Sequence, residues 1–137
     1  MVMENRIVTS LEQSKKLLEL GIDITTADMY YSFDYNIEEY EKDAQIIPQS
    51  ELRQHFSLFP EDVPAWSLSA LLELMPKLYE FEDDPDDGGC QPNLCKGWDN
   101  NLWHVVYRYS IYNTEWYNDP IDAAFEMVCW LKENKKI

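Results

Sequence analysis

The sequence has few glycines and few basic residues, and both shortages exclude classes of function. Its 137 residues include 4 glycines, and none has the spacing of the glycine-rich loops that bind phosphate groups. Only 11 lysines and arginines oppose 26 acidic residues, which gives a formal net charge of −15. A chain so acidic is repelled by nucleic-acid backbones and by anionic lipids. We therefore expect neither direct nucleic-acid binding nor membrane binding.

Cysteines and long apolar runs are also scarce. The 3 cysteines cannot all pair with one another, and the first residues, MVMENRIVTS, lack the apolar segment of a secretion signal. No apolar run approaches the length needed to span a membrane. We therefore expect a cytoplasmic protein with reduced thiols. With 45% hydrophobic residues, the chain can form one domain over residues 1–137 around its own core.

The C-terminal stretch carries the clearest helix signals. Asp119 can cap a helix that starts at Pro120, and lysines follow its end. Helical spacing places one apolar stripe on this helix, with Trp130 almost opposite it: Ile121, Ala124, Phe125, Val128 and Leu131. Either the chain covers both sides, or Trp130, Met127 and Ala123 form an apolar patch that a second subunit covers. We expect the first arrangement, with Trp130→Ala costing about 3–5 kcal/mol as a core truncation.

Two further helices are predicted nearer the N-terminus. One covers Ser10–Leu20, where Thr9 and Glu12 have the spacing of a capping box and Gly21 can end the helix. The other is short, begins after Ser67 and is stopped by Pro76.

Strand signals are weaker and lie between the helices. Alternating apolar residues predict a strand near Asp28–Phe33 and a second one within residues 102–111, where Trp103, Val105 and Tyr107 share a face. Short strands are also expected at residues 6–8, 77–83 and 115–117. Residues 36–64 are expected to be an irregular surface connection with one helical turn near Ser50–Phe56, and residues 83–101 a polar loop. The predicted fold class is α+β, a small antiparallel sheet of three to four strands packed with two longer helices and one short helix.

Two segments invite a metal-binding interpretation, and neither has the required spacing. Asp84, Asp86 and Asp87 precede two glycines, but the twelfth position counted from Asp84 is Cys95, where a calcium loop requires a glutamate. Cys90 and Cys95 could form half of a zinc site, yet no second pair of ligands follows. We therefore assign no metal and no cofactor, and expect a solvated turn with free thiols.

His104 is the candidate catalytic residue. It lies on a predicted strand and could act as a general base beside carboxylates, in a hydrolase of small molecules or sugars. The sequence provides no nucleophile beside it, so a polar surface role is the simpler interpretation. We assign no catalytic residue and regard an enzyme as the alternative function.

Aromatic residues favour a binding function. The 5 tryptophans and 9 tyrosines exceed what a core of this size needs, and tryptophan and tyrosine are enriched where proteins bind each other. The candidate partner-binding residues are Trp130, Met127 and Trp116, on a monomer or a homodimer. Stacking on sugars is also open, although a protein partner fits a cytoplasmic chain better.

The acidic composition suggests one more alternative, a mimic of DNA that inhibits a DNA-binding protein. Mimicry requires rows of carboxylates, so the acidic residues of Glu38–Asp43 would have to lie near those of Glu80–Asp87.

Three segments together carry a resemblance to a family: VTSLEQSKKLLELGIDITTADMYY, PAWSLSALLELMPKL and DPIDAAFEMVCWLKEN. They resemble a family of small uncharacterised proteins encoded in Bacteroidetes genomes, often in prophage or mobile-element regions. The resemblance implies a bacterial cytoplasm and an accessory role linked to a phage, and it implies no mechanism. The leading hypothesis is a non-enzymatic interaction or accessory protein, because the sequence lacks a catalytic constellation and has surplus aromatic and acidic residues.

Overall fold

The computed structural model describes residues 7–32, 45–48, 63–78, 90–98, 100–107 and 112–137. These residues form helices and two small antiparallel sheets, so the predicted α+β class is confirmed. The prediction of one sheet with three to four strands is not matched, because the strands divide into a three-stranded and a two-stranded sheet. The chain forms two compact units, Arg6–Ala70 and a second that contains Leu71–Ile137.

The first unit contains helix α1 and the three-stranded sheet. Helix α1 covers Leu11–Glu19, a short 3-10 turn covers Ile24–Thr26, and the strands are β1 (Met29–Ser32), β2 (Gln45–Pro48) and β3 (Val63–Ala65). Strand β1 lies in the centre and pairs antiparallel with both neighbours. The predicted strand near Asp28–Phe33 is confirmed. The irregular connection predicted over residues 36–64 is wrong at β2 and at the start of β3.

The start of helix α1 corrects the predicted cap. Ser10, one residue later than expected, accepts a hydrogen bond from the backbone N–H of Gln13, and the Gln13 side chain accepts one from the backbone N–H of Ser10. Thr9 is instead fully buried, and its hydroxyl bonds to the Ser14 hydroxyl at 2.7 Å. Gly21 follows the helix with a φ of 87°, a conformation that favours glycine, so the predicted helix end is confirmed.

Helix α2 covers Leu68–Glu73 and follows the first unit's sheet directly. The Ser67 hydroxyl accepts a hydrogen bond from the backbone N–H of Ala70 at 3.2 Å, as expected of a helix cap. Asp28 in turn accepts hydrogen bonds from both the backbone N–H and the hydroxyl of Ser67. These contacts place the helix start against Asp28, directly before strand β1.

The second unit contains a two-stranded sheet and helix α3. Strand β4 (Pro92–Lys96) pairs antiparallel with β5 (Trp103–Tyr107), and α3 covers Pro120–Glu133 and packs on β5. Strand β4 lies where a polar loop was expected, so that part of the prediction was wrong. Of the strand expected at residues 77–83, the structure describes two residues, and Leu78 forms a single bridge with Cys90.

In the second unit, the structure confirms the predicted alternation of buried residues on β5. It also confirms the predicted start of α3. Val105 and Tyr107 are fully buried, and the Tyr107 hydroxyl donates to the backbone oxygen of Pro76 at 2.8 Å. Asp119 accepts a hydrogen bond from the backbone N–H of Ile121 at 2.8 Å, and Pro120 begins the helix. No helix in the described ranges is both long enough and apolar enough to cross a bilayer.

Candidate functional site

The candidate site lies on the side of the β4–β5 sheet opposite the buried Val105 and Tyr107. Alternation along the strands puts His104 and Val106 on this side, and pairing places Cys95 opposite His104 and Asn93 opposite Val106. All four side chains reach the surface in part. We call this side, together with Trp116 beside it, the outer face.

Trp116 is the large apolar residue of the outer face. It is 44% exposed, and its ring stacks on the imidazole of His104, with 3.7 Å between ring centroids and 16° between ring planes. The stack covers one face of the indole, so the exposed part belongs to the other face and the edges. An exposed tryptophan with one fixed face loses little freedom when a partner covers the other.

The backbone around Trp116 is held in place by strand-like hydrogen bonds. Trp103 and Tyr117 exchange two backbone hydrogen bonds, at 2.6 and 2.8 Å, along the edge of β5. The backbone N–H of Thr114 donates to the Val105 oxygen, and the Thr114 hydroxyl accepts from the Val105 N–H, both at 2.9 Å. The segment from residue 112 to residue 117 therefore continues the sheet beyond β5 and fixes the position of Trp116.

A carboxylate on helix α3 fastens the same segment. Glu126 accepts hydrogen bonds from the Tyr112 hydroxyl at 2.6 Å, the Tyr117 hydroxyl at 2.7 Å and the backbone N–H of Glu115 at 3.0 Å. We call these four residues the Glu126 cluster. The bond to the Glu126 carboxylate, with burial and nearby acidic residues, raises the pKa of Tyr112 to about 12.

The pKa of Tyr117 is raised as well. Burial, followed by the hydrogen bond to Glu126, raises the pKa of its hydroxyl well above the ordinary value of 10.0. Both tyrosines therefore stay neutral hydrogen-bond donors at physiological pH. The Glu126 cluster therefore acts as a fixed support for the segment that carries Trp116.

His104, the candidate catalytic residue, is partly buried beneath Trp116. Burial lowers the pKa of its imidazole below the ordinary value of 6.5, so the neutral form dominates at neutral pH. Within the described ranges no side chain hydrogen-bonds to the His104 ring, and its one ring contact is the stack on Trp116. The carboxylate that a hydrolase would use to orient this histidine is therefore not supplied by the described residues.

The three candidate partner-binding residues do not form one surface. Met127 and Ala123 are fully buried, so Met127 has no surface with which to contact a partner. Trp130 is partly buried and stacks on Tyr112, with 4.5 Å between centroids and 9° between planes. The second side of α3 is thus covered within the chain at Met127, and Trp116 remains the exposed candidate.

The candidate metal ligands Asp84, Asp86 and Asp87 lie outside the described residues, as do the two acidic segments of the DNA-mimic hypothesis. Elsewhere, in the parts of the chain that are described, no group of three or more His, Cys, Asp or Glu side chains is arranged to hold a metal ion. Cys90 is buried, Cys95 is partly exposed, and neither forms a disulfide bond.

Sequence reasoning missed a second exposed tryptophan, at the turn between β4 and β5. Trp98 is 97% exposed, beside Gly97, whose N–H bonds to the Leu102 oxygen at 2.8 Å. A Cβ on Gly97 would lie 1.9 Å from the Asn100 side-chain oxygen, so a larger residue there would displace the Asn100 side chain. The order Gly-Trp inside a polar segment is the available signal for this residue, although such a segment by itself predicts only a loop.

Comparison of the chain with protein-family models, with curated proteins and with solved structures finds no match.

Proposed function

We propose that this chain is a non-enzymatic accessory protein of a bacterial genome or its prophage, which binds a protein partner in the cytoplasm through the outer face. The observation that supports the proposal is Trp116, 44% exposed yet held in position. Tryptophan is the residue type most enriched among side chains that dominate binding energy, and such residues act best when they are fixed beforehand.

The charge of the chain indicates the character of the partner. A net charge of −15 attracts a positively charged protein surface and repels an acidic one. Attraction between opposite charges mainly accelerates association, and this acceleration weakens as the salt concentration rises. The buried tryptophan mainly controls dissociation. The proposed partner therefore has a basic surface around an apolar pocket that accepts Trp116.

Two variants separate this proposal from nonspecific adhesion. The full chain, its Trp116→Leu variant and its Trp98→Leu variant are immobilised and exposed to a bacterial lysate. We expect the wild type and Trp98→Leu to retain the same protein, and Trp116→Leu to lose it. Trp98 is the matched control because it is a more exposed tryptophan in the same compact unit.

Quantitative binding of the purified partner completes the test. Replacing a tryptophan that anchors an interface costs about 2 kcal/mol or more, so affinity should fall about thirtyfold for Trp116→Leu. Higher salt should slow association with the wild type. Equal retention by all three chains, with equal affinities, would contradict the proposal.

The hydrolase hypothesis has less support, because His104 lies under Trp116 and no described carboxylate bonds to it. It predicts hydrolysis of a small ester or glycoside substrate that stops in His104→Gln. A panel of chromogenic substrates assayed with both chains tests that prediction.

A further inference from the structure

The β4–β5 sheet has one edge along which no described strand pairs, the side of Pro92–Lys96 that faces away from β5. We call it the β4 edge. The opposite edge of the sheet, along β5, is occupied, because Trp103 exchanges hydrogen bonds with Tyr117 and the backbone N–H of Thr114 donates to Val105. Unpaired backbone N–H and C=O groups at the edge of a sheet accept a further strand from another chain. Such pairing is therefore available at β4.

The alternation of hydrogen bonds identifies the backbone groups at the β4 edge. The N–H of Gly97 donates to the Leu102 oxygen, so in the same register Cys95 directs its backbone groups toward β5. Leu94 and Lys96, which flank Cys95, direct their N–H and C=O groups away from β5. No hydrogen bond joins those groups to another described residue. A partner strand could therefore bond to both residues without disturbing the β4–β5 pairing.

The chain itself begins a strand at this position. Leu78 and Cys90 exchange two backbone hydrogen bonds just before β4, at 2.9 and 2.5 Å. This pairing stops after one residue. Pro76 has no N–H to donate, and its oxygen accepts a hydrogen bond from the Tyr107 hydroxyl at 2.8 Å. An added strand would continue along β4 from the position that Leu78 occupies.

The side chains of β4 are compatible with an added strand. None of its five residues is fully buried, although Leu94 shares a face of the sheet with the fully buried Val105. A strand beside β4 would cover the exposed part of Leu94. Lysines at sheet edges usually oppose pairing. The Lys96 ammonium, however, lies 5.4 Å from the centroid of the Trp103 ring, so its charge is held toward β5.

We propose that the protein partner, whose existence rests on the proposed function, adds an extended basic strand to the β4 edge and bonds its backbone to Leu94 and Lys96. Charge favours a basic strand, because the chain carries a net charge of −15. The eleven residues that connect Leu78 to Cys90 include six acidic residues and no basic one. The same net charge disfavours pairing between the β4 edges of two copies of this chain.

Short peptides test the β4 edge without the partner itself. Peptides of about seven residues, in which lysine alternates with varied residues, are selected for binding to the full chain. We expect the selected peptides to bind about tenfold or more tightly than versions with glutamate in place of lysine. Alternate N–H groups of an added strand face β4. Methylating one alternate set of peptide nitrogens should therefore abolish binding, and methylating the other set should preserve it.

Substitution of Lys96 tests the same edge on the protein. Lys96→Pro removes an N–H that β5 does not use, and Lys96→Ala removes the same side chain but keeps the N–H. We expect Lys96→Pro to lose peptide binding and Lys96→Ala to keep it. Trp116→Leu should also keep it, because residues 112–117 lie along the opposite edge of the sheet.

Hydrogen exchange measured by NMR tests the wild type without any substitution. The amides of Leu94 and Lys96 should exchange fast in the free chain and slowly with a bound peptide. The amide of Cys95, which bonds to β5, should exchange slowly in both states.

Several outcomes would overturn the proposed edge. They are the absence of any peptide that binds the wild type, equal binding by Lys96→Pro and Lys96→Ala, and Leu94 and Lys96 amides that are already protected in the free chain. A dimer that Lys96→Pro converts to a monomer would place a second copy at the edge instead. If a lysate protein is lost in Trp116→Leu but retained by Lys96→Pro, the edge is excluded and the proposed function stands. Loss in Lys96→Pro alone would support the edge and contradict the role of Trp116.

Discussion

At the scale of single residues, the environment of His104 determines how its charge depends on pH. Burial lowers the pKa of its imidazole, and among the described residues the ring stacks on the indole of Trp116. In the unfolded chain the imidazole titrates near its ordinary value of 6.5. The unfolded state therefore binds a proton at higher pH than the folded state does.

This difference predicts a loss of stability on acidification. Well above pH 6.5 both states are neutral at His104, and the residue contributes no pH dependence. As the pH falls from 6.5 to the lower folded-state pKa, protonation stabilises the unfolded state, so the free energy of unfolding decreases. Denaturant unfolding across this interval should show a steeper decrease for the wild type than for His104→Gln. Parallel curves for the two chains would show that the folded environment does not disfavour the charged ring.

At the scale of elements, the Glu126 cluster attaches the segment 112–117 to helix α3. Replacing Glu126 with alanine removes the acceptor of three hydrogen bonds. Because hydrogen bonds to a charged group contribute about 1.5–3 kcal/mol each and this carboxylate is partly exposed, we expect Glu126→Ala to lower the free energy of unfolding by roughly 1–3 kcal/mol in total.

The same variant should change the titration of Tyr112. Its pKa of about 12 is raised first by the bond to Glu126, so it should fall toward 10 in Glu126→Ala. NMR of the tyrosine ring carbons at alkaline pH measures this directly. Glu133→Gln is the matched control, since Glu133 acts on Tyr112 by charge alone and should change its pKa much less. An unchanged Tyr112 titration in Glu126→Ala would disprove the role of the hydrogen bond.

Helix α1 shows both the success and the limit of sequence reasoning about elements. Its apolar spacing and Gly21 predicted the helix and its end, but Thr9 and Ser10 are adjacent hydroxyl residues and either can satisfy a local capping pattern. The choice depends on tertiary contacts. Thr9 accepts a hydrogen bond from the backbone N–H of Trp66 at 3.2 Å, across a separation of 57 residues that no local pattern contains.

The two hydroxyls should therefore respond differently to substitution. Ser10→Ala removes a cap and should cost about 1 kcal/mol. Thr9→Val keeps the shape of the side chain but leaves the Trp66 N–H and the Ser14 hydroxyl without their buried partner, and should cost about 1–3 kcal/mol. Adding Ser14→Ala to Thr9→Val should recover part of the loss in a chemical denaturation series. A fully additive double variant would contradict the proposed coupling.

Strands β2 and β4 were not predicted, because their formation also depends on tertiary contacts. Gln45–Pro48 and Pro92–Lys96 are short, contain proline and show no clean alternation, so their local patterns favour loops. They become strands because β1 and β5 offer edges with which to pair. Whether His104 would meet Cys95 and Trp116 also depended on that register, and for this reason the outer face could not be assembled from the sequence.

At the scale of the whole molecule, net charge and apolar burial act in opposite directions on self-association. A charge of −15 makes copies of the chain repel one another, most strongly at low salt. An exposed apolar patch on α3 would have favoured a dimer, but Met127 and Ala123 are 0% exposed in the single chain. We therefore expect a monomer, which sedimentation at several concentrations measures.

Stability measurements on α3 variants test whether the single chain covers this helix, as a monomer requires. Met127→Ala truncates a fully buried side chain and should lower the free energy of unfolding by about 2–5 kcal/mol. Trp130→Ala should cost less than the 3–5 kcal/mol expected of a core tryptophan, roughly 1–3 kcal/mol, because Trp130 is only partly buried and loses mainly its stack on Tyr112.

Concentration dependence decides between a monomer and a dimer. A monomer unfolds at a temperature that does not change with protein concentration, whereas a dimer becomes more stable as concentration rises. We expect the melting temperatures of the wild type, Met127→Ala and Trp130→Ala each to stay constant over a hundredfold range of about 1–100 μM. A wild-type melting temperature that rises with concentration, together with a folded monomer for Trp130→Gln, would instead place a second copy of the chain against Trp130.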